Sequence, residues 1–595
     1  MDAKADIFYE VSWEVCNKVG GIFTVVASKA VQMMNHYNNY WLIGPYFPKK
    51  AFGMFEETLA PEECKTCFDK LKAEGIEVHC GKWMVKGSPN VMLVDFTNFS
   101  VQKNSIKQKL WEHYKIDSLY TEWFDFDEPV VFATAAGKVI EVLSEIYLGK
   151  KTVAQFHEWL AAAGLLYIKS EKAKVGTVFT THATTLGRSI AATDRNLYEM
   201  LDKISPDENA KGRGSSVFAK HLLEKAAAKN ADVFTTVSEI TGIEAEKILD
   251  RKPDVLLMNG LDMDKFPTFE EASVKHKLFK ARIKQFLTYY FFPYQTFDIE
   301  NTLIYFLAGR YEFTDKGVDV CIKALGKLNE KLKEEKSKKT IVCFFWIPGN
   351  IRSIKQELLE NKTYFFDLKD SIDDETDLLK TRMLSLLITK GDITKENLFG
   401  AEFMQEIKPK VLRLSRKGMP PVATHDLFSE QNDAILNAFQ QANLSNKTED
   451  RVKVVFYPIY LTGADGLLDT SYYESMQGAH LGIFPSYYEP WGYTPLEAAA
   501  LGVSSVTTDL TGFGRYLCTE CVPEKNPGIF VLKRFGRAYD ETVQDLASIM
   551  YYFANLPVQE RVANKMTSQK VAATADWKLF IERYIEAHNL AISRL

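Results

Sequence analysis

The sequence predicts an α/β protein with two doubly wound parallel sheets, and three observations support this fold class. The 595 residues are 46% hydrophobic and 25% charged, which is typical of a globular chain and excludes a disordered or fibrous one. Short apolar runs alternate with longer helical patterns, as they do in βαβ units. The alternation occurs in two separate blocks, which predicts two Rossmann-like domains with a ligand cleft between them.

In the first block, residues 7–11 predict a strand and residues 21–34 predict the helix that follows it. An alanine-rich helix is expected over 215–231. Further strands are expected at 91–96, 152–156, 176–181 and 232–237. Short apolar strands that alternate with helices are typical of a parallel sheet covered on both faces.

The second block begins near residue 301, with a strand, a helix and a strand expected over 302–308, 317–333 and 340–347. From 352 to about 417 the pattern is helical and highly charged, which is too long for a connecting loop. We interpret about 350–418 as a helical insertion, either a solvated hairpin or an arm for oligomerisation. The later elements are expected at 452–457, 481–485, 494–501 and 504–508, with closing helices at 558–574 and 577–593.

Charge and composition exclude several classes of function. The 73 basic and 78 acidic residues give a formal net charge of −5, so no overall basic excess exists to hold a nucleic acid. No apolar run approaches the ~20 residues of a membrane-spanning helix, and the N-terminus lacks a signal-peptide core. We therefore expect a cytoplasmic protein without a membrane segment.

The cysteines and acidic motifs give no strong indication of a metal. The C-x-x-C pairs Cys64/Cys67 and Cys518/Cys521 have no histidine at ligand spacing, which favours reduced thiols over a zinc site. A D-x-D pattern at Asp125 and Asp127 is typical of metal-dependent transferases, but its surroundings fit a surface turn better. We expect no metal.

Candidate ligand-binding residues follow predicted strands, where parallel sheets bind their ligands. After the first strand, Lys18, Gly20 and Gly21 lead into a helix whose amides favour an anion. After the first strand of the second block, Arg310 and Lys316 bracket a turn, and two cations at this spacing can converge on one phosphate. Each motif alone also occurs in ordinary turns and exposed loops.

The run over 484–497 has the densest functional pattern. It follows a strand and opens a helix near Thr494, where Pro495 fits the first turn and the backbone N–H groups suit a phosphate. Glu489 lies in the loop before the helix, at a position suited to sugar hydroxyls. Glu497 lies in the first turn, within reach of a ribose.

Two histidines follow strands of the first block, His157 within 155–159 and His182 within 180–183. A single histidine is more often a structural hydrogen-bonding group than a functional one. Two at strand ends of the same sheet make a functional role for at least one of them more plausible.

Together these motifs resemble those of the glycogen synthases, in particular the animal and fungal type, glycosyltransferase family 3. The resemblance extends over nearly the whole chain, with the motifs in the family's order. The segments are EVSWEV at 10–15, KVGG at 18–21, FHEW at 156–159, TTHATTLGR at 180–188, TVS at 236–238, NGL at 259–261, GRYEFTDKG at 309–317, PSYYEPWGYTPLE at 485–497 and TGFG at 511–514.

The resemblance implies the glycosyltransferase-B fold. Residues 1–265 are then the acceptor-side domain, joined by the C-terminal helix at 575–595, and residues 266–574 are the nucleotide-sugar domain. The implied reaction moves glucose from a nucleotide-diphosphate glucose, with UDP-glucose favoured, to the non-reducing end of an α-1,4-glucan. The anomeric configuration is retained. No cofactor or metal is implied, because cationic side chains can neutralise the departing diphosphate.

The resemblance also implies roles for individual residues. The catalytic group is Arg310 and Lys316 at the diphosphate, with Glu489 and His182 at the donor hexose. Donor and phosphate binding is implied for Lys18, Gly20, Gly21, Arg188, Asn259, Gly492, Tyr493, Thr494 and Glu497. Tyr460 and Tyr472 fall where the family has aromatic rings around the uracil, and His157 and Glu158 fall on the acceptor side of the cleft. Glu489 is alternatively a covalent nucleophile, but we favour front-face attack within an ion pair.

Departures from the family pattern lead to two further expectations. Residues 456–460 read FYPIY where the family has a FHPEF-type segment, which leaves UDP and ADP open as the donor nucleotide. The family's glucose-6-phosphate helix is dense in arginine, whereas 558–570 holds only Arg561, Lys565 and Lys570. Because an anion site needs several converging cations, we expect weak or absent activation by glucose 6-phosphate. We also expect no control through phosphorylated tails.

Two alternatives stay open. One is another transferase of the same fold that uses a small sugar acceptor, and the other is a glucan-binding scaffold that has lost catalysis. Intact Arg310, Lys316, His182 and Glu489 argue against the scaffold. The partners implied by the resemblance are glycogen, UDP-glucose, a glycogenin-like primer and further copies of the chain, with a tetramer as one assembly.

Overall fold

The computed structural model describes residues 1–193, 197–518 and 526–595. Within these residues the strands form two large sheets, one in each half of the chain, and a two-stranded ribbon. Helices cover both large sheets. The predicted α/β class with two parallel, doubly wound sheets is therefore confirmed.

The first half of the chain folds around a nine-stranded sheet. Its strands are β1 (Ile7–Val11), β2 (Asn39–Pro45), β3 (Phe55–Glu57), β4 (Glu77–Trp83), β5 (Asn90–Asp95), β6 (Thr152–His157), β7 (Gly176–Thr181), β8 (Val233–Thr236) and β9 (Val255–Leu256). Their spatial order is β3-β4-β5-β2-β1-β6-β7-β8-β9. All neighbours pair in parallel except at β4, which is antiparallel to both β3 and β5. The central strands β1, β6 and β7 are buried at every residue, as their sequences predict.

Helices pack on both faces of the first sheet and link it to the second half. They are α1 (Gly21–His36), α2 (Pro48–Ala51), α3 (Lys65–Ala73), α4 (Lys103–Tyr114), α5 (Glu128–Ile146), α6 (Trp159–Ser170), α7 (Thr185–Thr193), α8 (Leu197–Met200), α9 (Pro206–Gly212), α10 (Ser215–Asn230), α11 (Glu239–Ile248) and α12 (Phe269–Phe291). In the sealed core beneath the sheet, Gly137 of α5 and Gly164 of α6 let the two helix backbones approach closely.

The second half folds around a six-stranded parallel sheet in the order β14-β11-β10-β15-β16-β17. Its strands are β10 (Leu303–Ala308), β11 (Ile341–Trp346), β14 (Val452–Phe456), β15 (Leu481–Ile483), β16 (Ser504–Thr508) and β17 (Ile529–Leu532), and β12 (Ile351–Ile354) and β13 (His425–Leu427) form the ribbon. The helices are α13 (Val318–Glu334), α14 (Gln356–Asp374), α15 (Thr376–Ile388), α16 (Lys395–Leu398), α17 (Ala401–Leu414), α18 (Ala434–Gln441), α19 (Tyr472–Gly478), α20 (Tyr493–Ala500), α21 (Gly512–Leu517), α22 (Tyr539–Asn555), α23 (Val558–Ala573) and α24 (Trp577–Ser593).

The last helix, α24, returns to the first sheet. Two backbone hydrogen bonds join Leu261 to the chain at the start of α24. The Leu261 N–H donates to the Ala575 carbonyl, and the Leu261 carbonyl accepts from the Trp577 N–H. The indole Nε1 of Trp577 donates to Ser28 Oγ of α1 at 2.7 Å. The two halves are thus connected twice, once after β9 and once before α24.

The inserted segment is helical, with one difference from the sequence prediction. The insertion begins with strand β12, which pairs antiparallel with β13, so a short β-ribbon brackets helices α14 to α17. Helix α15 has no buried residue and exposes Leu384, Leu387 and Ile388, the last to 80%.

Two smaller expectations are wrong. The D-x-D segment is a turn of π-helix in which Asp127 is buried and paired with Lys103 and Lys107, because α5 continues directly from it into the core. Cys518 is disulfide-bonded, so the expectation of reduced thiols fails there, and Cys521 lies outside the described residues. In the part of the chain that the structure covers, no helix is long and apolar enough to cross a membrane.

Candidate active site

A pocket lies at the carboxyl ends of the second sheet, where the sequence predicts the donor site. It is bounded by the ends of β10, β15 and β16 and by the start of α20. The lining residues are Leu307, Ala308, Lys316, Phe484, Ser486, Glu489, Gly492, Thr494, Pro495, Thr507 and Thr511. Four positions predicted to bind phosphate or sugar therefore face one cavity: Lys316, Glu489, Gly492 and Thr494.

Lys316 and Glu489 are ion-paired, with Lys316 Nζ donating to Glu489 Oε2. The turn between β10 and α13 makes this contact possible. Gly317 has φ +67, and a Cβ at this position would lie 2.0 Å from the Pro485 carbonyl oxygen, so only glycine fits. This close approach holds the lysine against the loop that bears the carboxylate.

Arg310 does not join this pair. Its side chain is 66% exposed, and Nη2 lies 2.9 Å from Glu312 Oε1. The structure therefore places Lys316 of this predicted pair at the pocket, while Arg310 pairs with Glu312.

The start of α20 offers free backbone donors to the pocket. Gly492 is the N-cap at φ +106, and no side chain caps the first turn. Tyr493, next in the helix, donates its hydroxyl to the Gly260 carbonyl at 3.2 Å, which links this helix to the segment that connects the halves. The N–H groups at this end remain suited to an anion.

Glu497, predicted at the ribose, is bonded by a residue that sequence reasoning missed. Tyr473 donates its hydroxyl to Glu497 Oε1 at 2.7 Å, and burial raises the pKa of Glu497 to about 7. Tyr472 is half-buried beside Tyr473, with ring centroids 5.6 Å apart. Tyr460, also predicted at the base, is 73% exposed.

His157 and His182 meet across neighbouring strands of the first sheet. His157 Nδ1 lies 3.0 Å from His182 Nε2, and His157 Nε2 lies 2.7 Å from Glu10 Oε1. Burial lowers the pKa of both imidazoles. His157 has no exposed side-chain surface, so the predicted acceptor-cleft role for it is not a direct contact at the surface.

Glu158 anchors the loop that carries His182. Its Oε1 accepts the N–H groups of His182 and Ala183, both at 2.9 Å. Its own backbone has φ +63, the left-handed region that a non-glycine residue rarely occupies. Burial raises the pKa of Glu158 to about 7, against the opposing effect of the exposed Arg188 guanidinium.

A further carboxylate, Glu244, connects the halves at the same loop. It accepts hydrogen bonds from the Thr184 N–H at 3.1 Å and from the Tyr488 hydroxyl at 2.9 Å. Burial raises the pKa of Glu244 to about 7. The sequence reasoning missed this residue, because nothing near it along the chain distinguishes it from an ordinary helix position.

The glycine pair at the start of α1 is already bound to an anion. Glu14 Oε2 accepts the N–H groups of Gly20 at 2.7 Å and Phe23 at 2.8 Å. Gly21 is exposed beside them, and Lys18 Nζ lies 5.8 Å from the Phe23 ring centroid. In this structure the predicted anion at the helix N-terminus is therefore the protein's own carboxylate.

Asn259 lies at the connection between the halves and is 4% exposed. Its Oδ1 is buried without a hydrogen-bond partner among the residues that the structure describes. An unpaired buried acceptor is unfavourable unless a ligand satisfies it, which agrees with the predicted donor-binding role.

A second cluster of cations forms around α23. Burial, with Lys280 and Arg561 nearby, lowers the pKa of Lys565 to about 7. The rings of His276 and His480 lie 5.4 Å apart in the same cluster. The expectation of a poor anion site counted only 558–570. The structure brings further cationic and imidazole groups to this region from α12 and from the segment before β15.

Comparison with known proteins gives a consistent result over the full chain. Residues 10–595 match the family described as glycogen synthase. A liver glycogen [starch] synthase of Rattus norvegicus is 35% identical over 99% of this chain and 83% of its own length. A glycogen [starch] synthase of Dictyostelium discoideum is 36% identical over 99% of this chain and 67% of its own length.

Among solved structures, the catalytic domain of starch synthase IV from Arabidopsis thaliana, bound to ADP and acarbose, has a similar fold. The TM-score is 0.54 at 14% identity, and the match covers 99% of this chain and 100% of that one. At this identity the likeness concerns the fold, which is the predicted glycosyltransferase-B arrangement of two Rossmann-like domains.

Proposed function

The chain belongs to the glycogen synthase family, and from that premise we propose that it transfers glucose from UDP-glucose to the non-reducing end of an α-1,4-glucan with retention. The observation that carries this proposal is the Lys316–Glu489 pair beside the uncapped start of α20. One pocket thereby joins a cation and backbone donors for a diphosphate with a carboxylate for a hexose.

In the proposed mechanism, Lys316 and the first N–H groups of α20 bind the diphosphate of the donor. Arg310 completes the site by turning inward from Glu312. These groups stabilise the negative charge that develops as the bond between the anomeric carbon and the phosphate oxygen breaks. Because three sets of donors from the protein neutralise the leaving group, we propose that the reaction needs neither a metal nor a cofactor.

The acceptor hydroxyl attacks the anomeric carbon from the face that the diphosphate leaves. The new bond forms to the acceptor oxygen, and its proton passes to the departing phosphate oxygen. Glu489 orients the donor hexose by accepting its hydroxyl groups, and His182 binds the same sugar from the other domain. We assign Glu158 to the acceptor side of the cleft, with His157 behind it, and Arg188 to the donor phosphates.

The remaining predicted residues complete the donor site in this proposal. Glu497 and Tyr472 lie at the ribose and base, with Tyr460 closing over the base from its exposed position. Asn259 supplies an acceptor from the connecting segment, and the loop at 18–21 covers the diphosphate when the cleft closes. The primer partner, a glycogenin-like protein, and a cytoplasmic location follow from the family resemblance.

The test is glucose transfer to glycogen by the purified chain, with UDP-glucose and ADP-glucose compared side by side and EDTA present in parallel. We expect incorporation into glycogen with UDP-glucose and no loss with EDTA. Transfer to glucose or fructose in place of glycogen would favour the small-acceptor alternative. Glucan binding without any transfer would favour the inactive scaffold.

Glu497 predicts a pH dependence of donor binding. Its pKa is raised to about 7 by burial, so the carboxylate is protonated below this pH and ionised above it. An ionised carboxylate accepts hydrogen bonds from both ribose hydroxyls, so KM for UDP-glucose should fall as the pH rises from 6 to 8. In Glu497→Gln this fall should disappear. A KM profile unchanged by the substitution would contradict the ribose role.

The cationic cluster around Lys565 changes the expectation about glucose 6-phosphate. We propose that the cluster binds the phosphate of this sugar and that the enzyme responds to it, because cations converge from α12 and α23. In Lys565→Ala the response should be lost while the rate without effector is kept. Lys275→Ala is the matched control, because Lys275 also lies on α12 but is exposed. An equal response in both variants would refute the assignment.

The exposed apolar face of α15 predicts self-association. A helix without any buried residue that exposes several leucine and isoleucine side chains is unusual for a monomer. We propose that this helix packs against a second copy of the chain in a homo-oligomer. The double substitution Leu384→Asp/Leu387→Asp should reduce the mass measured by light scattering to that of one 67.7 kDa chain. An unchanged mass would exclude α15 from the interface.

A further inference from the structure

A buried chain of polar side chains ends on His182. Glu10 and Lys29, whose side chains have no exposed surface, form an ion pair. Glu10 also accepts hydrogen bonds from the Tyr40 hydroxyl at 2.5 Å and from His157 Nε2 at 2.7 Å. His157 Nδ1 lies 3.0 Å from His182 Nε2. A sealed ion pair is thus connected, through one imidazole, to the residue assigned to the donor sugar.

The carboxylate determines the direction of each hydrogen bond in this chain. Burial alone would raise the pKa of Glu10, but Lys29 and His157 hold it well below its usual range, so Glu10 is ionised and can only accept. His157 Nε2 must then carry a hydrogen. Burial lowers the pKa of His157, so the ring is neutral and its Nδ1 is an acceptor.

The same reasoning extends to His182. Its Nε2 must donate to His157 Nδ1, since that atom carries no hydrogen. Burial and the neighbouring His157 lower the pKa of His182 well below its usual range, so this ring is also neutral. The other nitrogen, Nδ1, is left as an acceptor, and among the described residues it has no hydrogen-bond partner.

We propose that Glu10 and His157 are positioning residues that hold His182 in the tautomer with a bare Nδ1, so that this atom accepts a hydrogen bond from a hydroxyl of the donor hexose. The inference rests on the proposed role of His182 at the donor sugar and specifies its chemistry. His182 acts as an oriented acceptor, and neither as a cation nor as a proton donor. A partner on the second nitrogen fixes both the tautomer and the angle of an imidazole, as it does for metal-bound histidines.

The C-terminal helix seals this chain from water. The Tyr584 ring of α24 lies over Lys29, with Nζ 4.2 Å from the ring centroid. His588 of the same helix lies 2.9 Å from the Tyr37 hydroxyl and 3.1 Å from Gln155 Oε1, next to the network but outside the path to His182. The return of α24 to the first sheet therefore shields the ion pair from water. This strengthens the hydrogen bond between Glu10 and His157.

The test is a double-mutant cycle on His157 and His182 in the full chain, with kcat and KM for UDP-glucose as readouts. His157→Leu removes the acceptor for His182 and should lower kcat by about 10²-fold, the usual effect of misplacing a group at the reacting sugar. His157→Gln should recover most of this loss, because its amide oxygen can accept from His182 while its NH₂ donates to Glu10. In the His182→Ala background, His157→Leu should cause no further loss of kcat.

Each outcome separates the inference from the function on which it rests. Full activity of His182→Ala would refute the role of His182 itself. Two results would refute positioning through His182 even if His182→Ala lowers kcat. One is a further loss of kcat when His157→Leu is added to His182→Ala. The other is a failure of His157→Gln to recover the kcat lost in His157→Leu. If transfer in the His182→Ala background is too slow to compare, the affinity for UDP-glucose measured by calorimetry gives the same cycle.

A matched control distinguishes positioning from stability. His588→Gln replaces another fully buried histidine beside the same network. It should lower Tm, as His157→Leu does, but leave kcat unchanged. Equal losses of kcat in His588→Gln and His157→Leu would show that general loosening of the core explains both, and would overturn the proposal.

Discussion

Replacing Lys316 with alanine is expected to lower kcat for glucose transfer by about 10³-fold, because the substitution removes a full positive charge from the site of the leaving diphosphate. This ammonium is ion-paired with Glu489 in the donor pocket. The negative charge on the diphosphate increases as the bond between the anomeric carbon and the phosphate oxygen breaks. The effect of removing Lys316 should therefore appear mainly in kcat and less in KM. Initial rates with saturating glycogen and varied UDP-glucose measure both.

Two controls accompany Lys316→Ala. Lys327→Ala removes a charge from the exposed face of α13, the helix that follows Lys316. Lys327 Nζ donates to Gln544 Oε1 at 3.1 Å, and its removal should leave the rate unchanged. Binding to glycogen, measured by co-sedimentation, should be equal in both variants, because Lys316 lies on the donor side. A rate for Lys316→Ala within about tenfold of the native one would contradict the role assigned to this lysine.

The sequence predicted the positions of the donor residues because a parallel sheet fixes them. Lys316 follows β10, whereas Glu489 and Thr494 follow β15, with Glu489 173 residues further along the chain than Lys316. The carboxyl ends of the two strands nevertheless meet at one edge of the sheet. The same rule placed His157 and His182 side by side at the edge of the first sheet. Local pattern was sufficient wherever the functional group lies directly after a strand.

The sequence did not predict partners that come from distant elements. Lys565 lies on α23, but the cations that lower its pKa include Lys280 of α12, so a count along one helix underestimated the cluster. The position of Glu10 within an apolar strand did indicate a buried ion pair, because a buried carboxylate needs a cationic partner. Its partner Lys29 and the cover from α24 follow only from the fold.

The pairing of individual side chains around the site was equally beyond a sequence pattern. Arg310 has the predicted position but pairs outward with Glu312, and the amides at the start of α1 are bound to Glu14. In the proposed mechanism both groups exchange these carboxylates for the donor diphosphate. Which carboxylate pairs with each group depends on side-chain rotation, and the order of strands in the sheet does not determine this.

Substitutions of Glu489 should separate the two mechanisms that remain possible for retention. In front-face attack Glu489 only accepts hydroxyl groups of the hexose, so Glu489→Gln should keep part of the rate and exceed Glu489→Ala by about tenfold or more. A covalent nucleophile would make both variants equally inactive, because neither side chain can form the glycosyl ester. The ratio of kcat between the two variants is therefore the decisive measurement.

Added azide gives an independent check on the same question. If Glu489 were the nucleophile, azide in Glu489→Ala would replace it and release a glucosyl azide of inverted configuration, with the nucleoside diphosphate as leaving group. We expect no such product, because in the proposed mechanism no protein group attacks the anomeric carbon. The acceptor hydroxyl attacks it from the face that the diphosphate leaves, and its proton passes to the departing phosphate. The ion pair of Glu489 with Lys316 supports this expectation, since a carboxylate engaged by an ammonium is a weakened nucleophile.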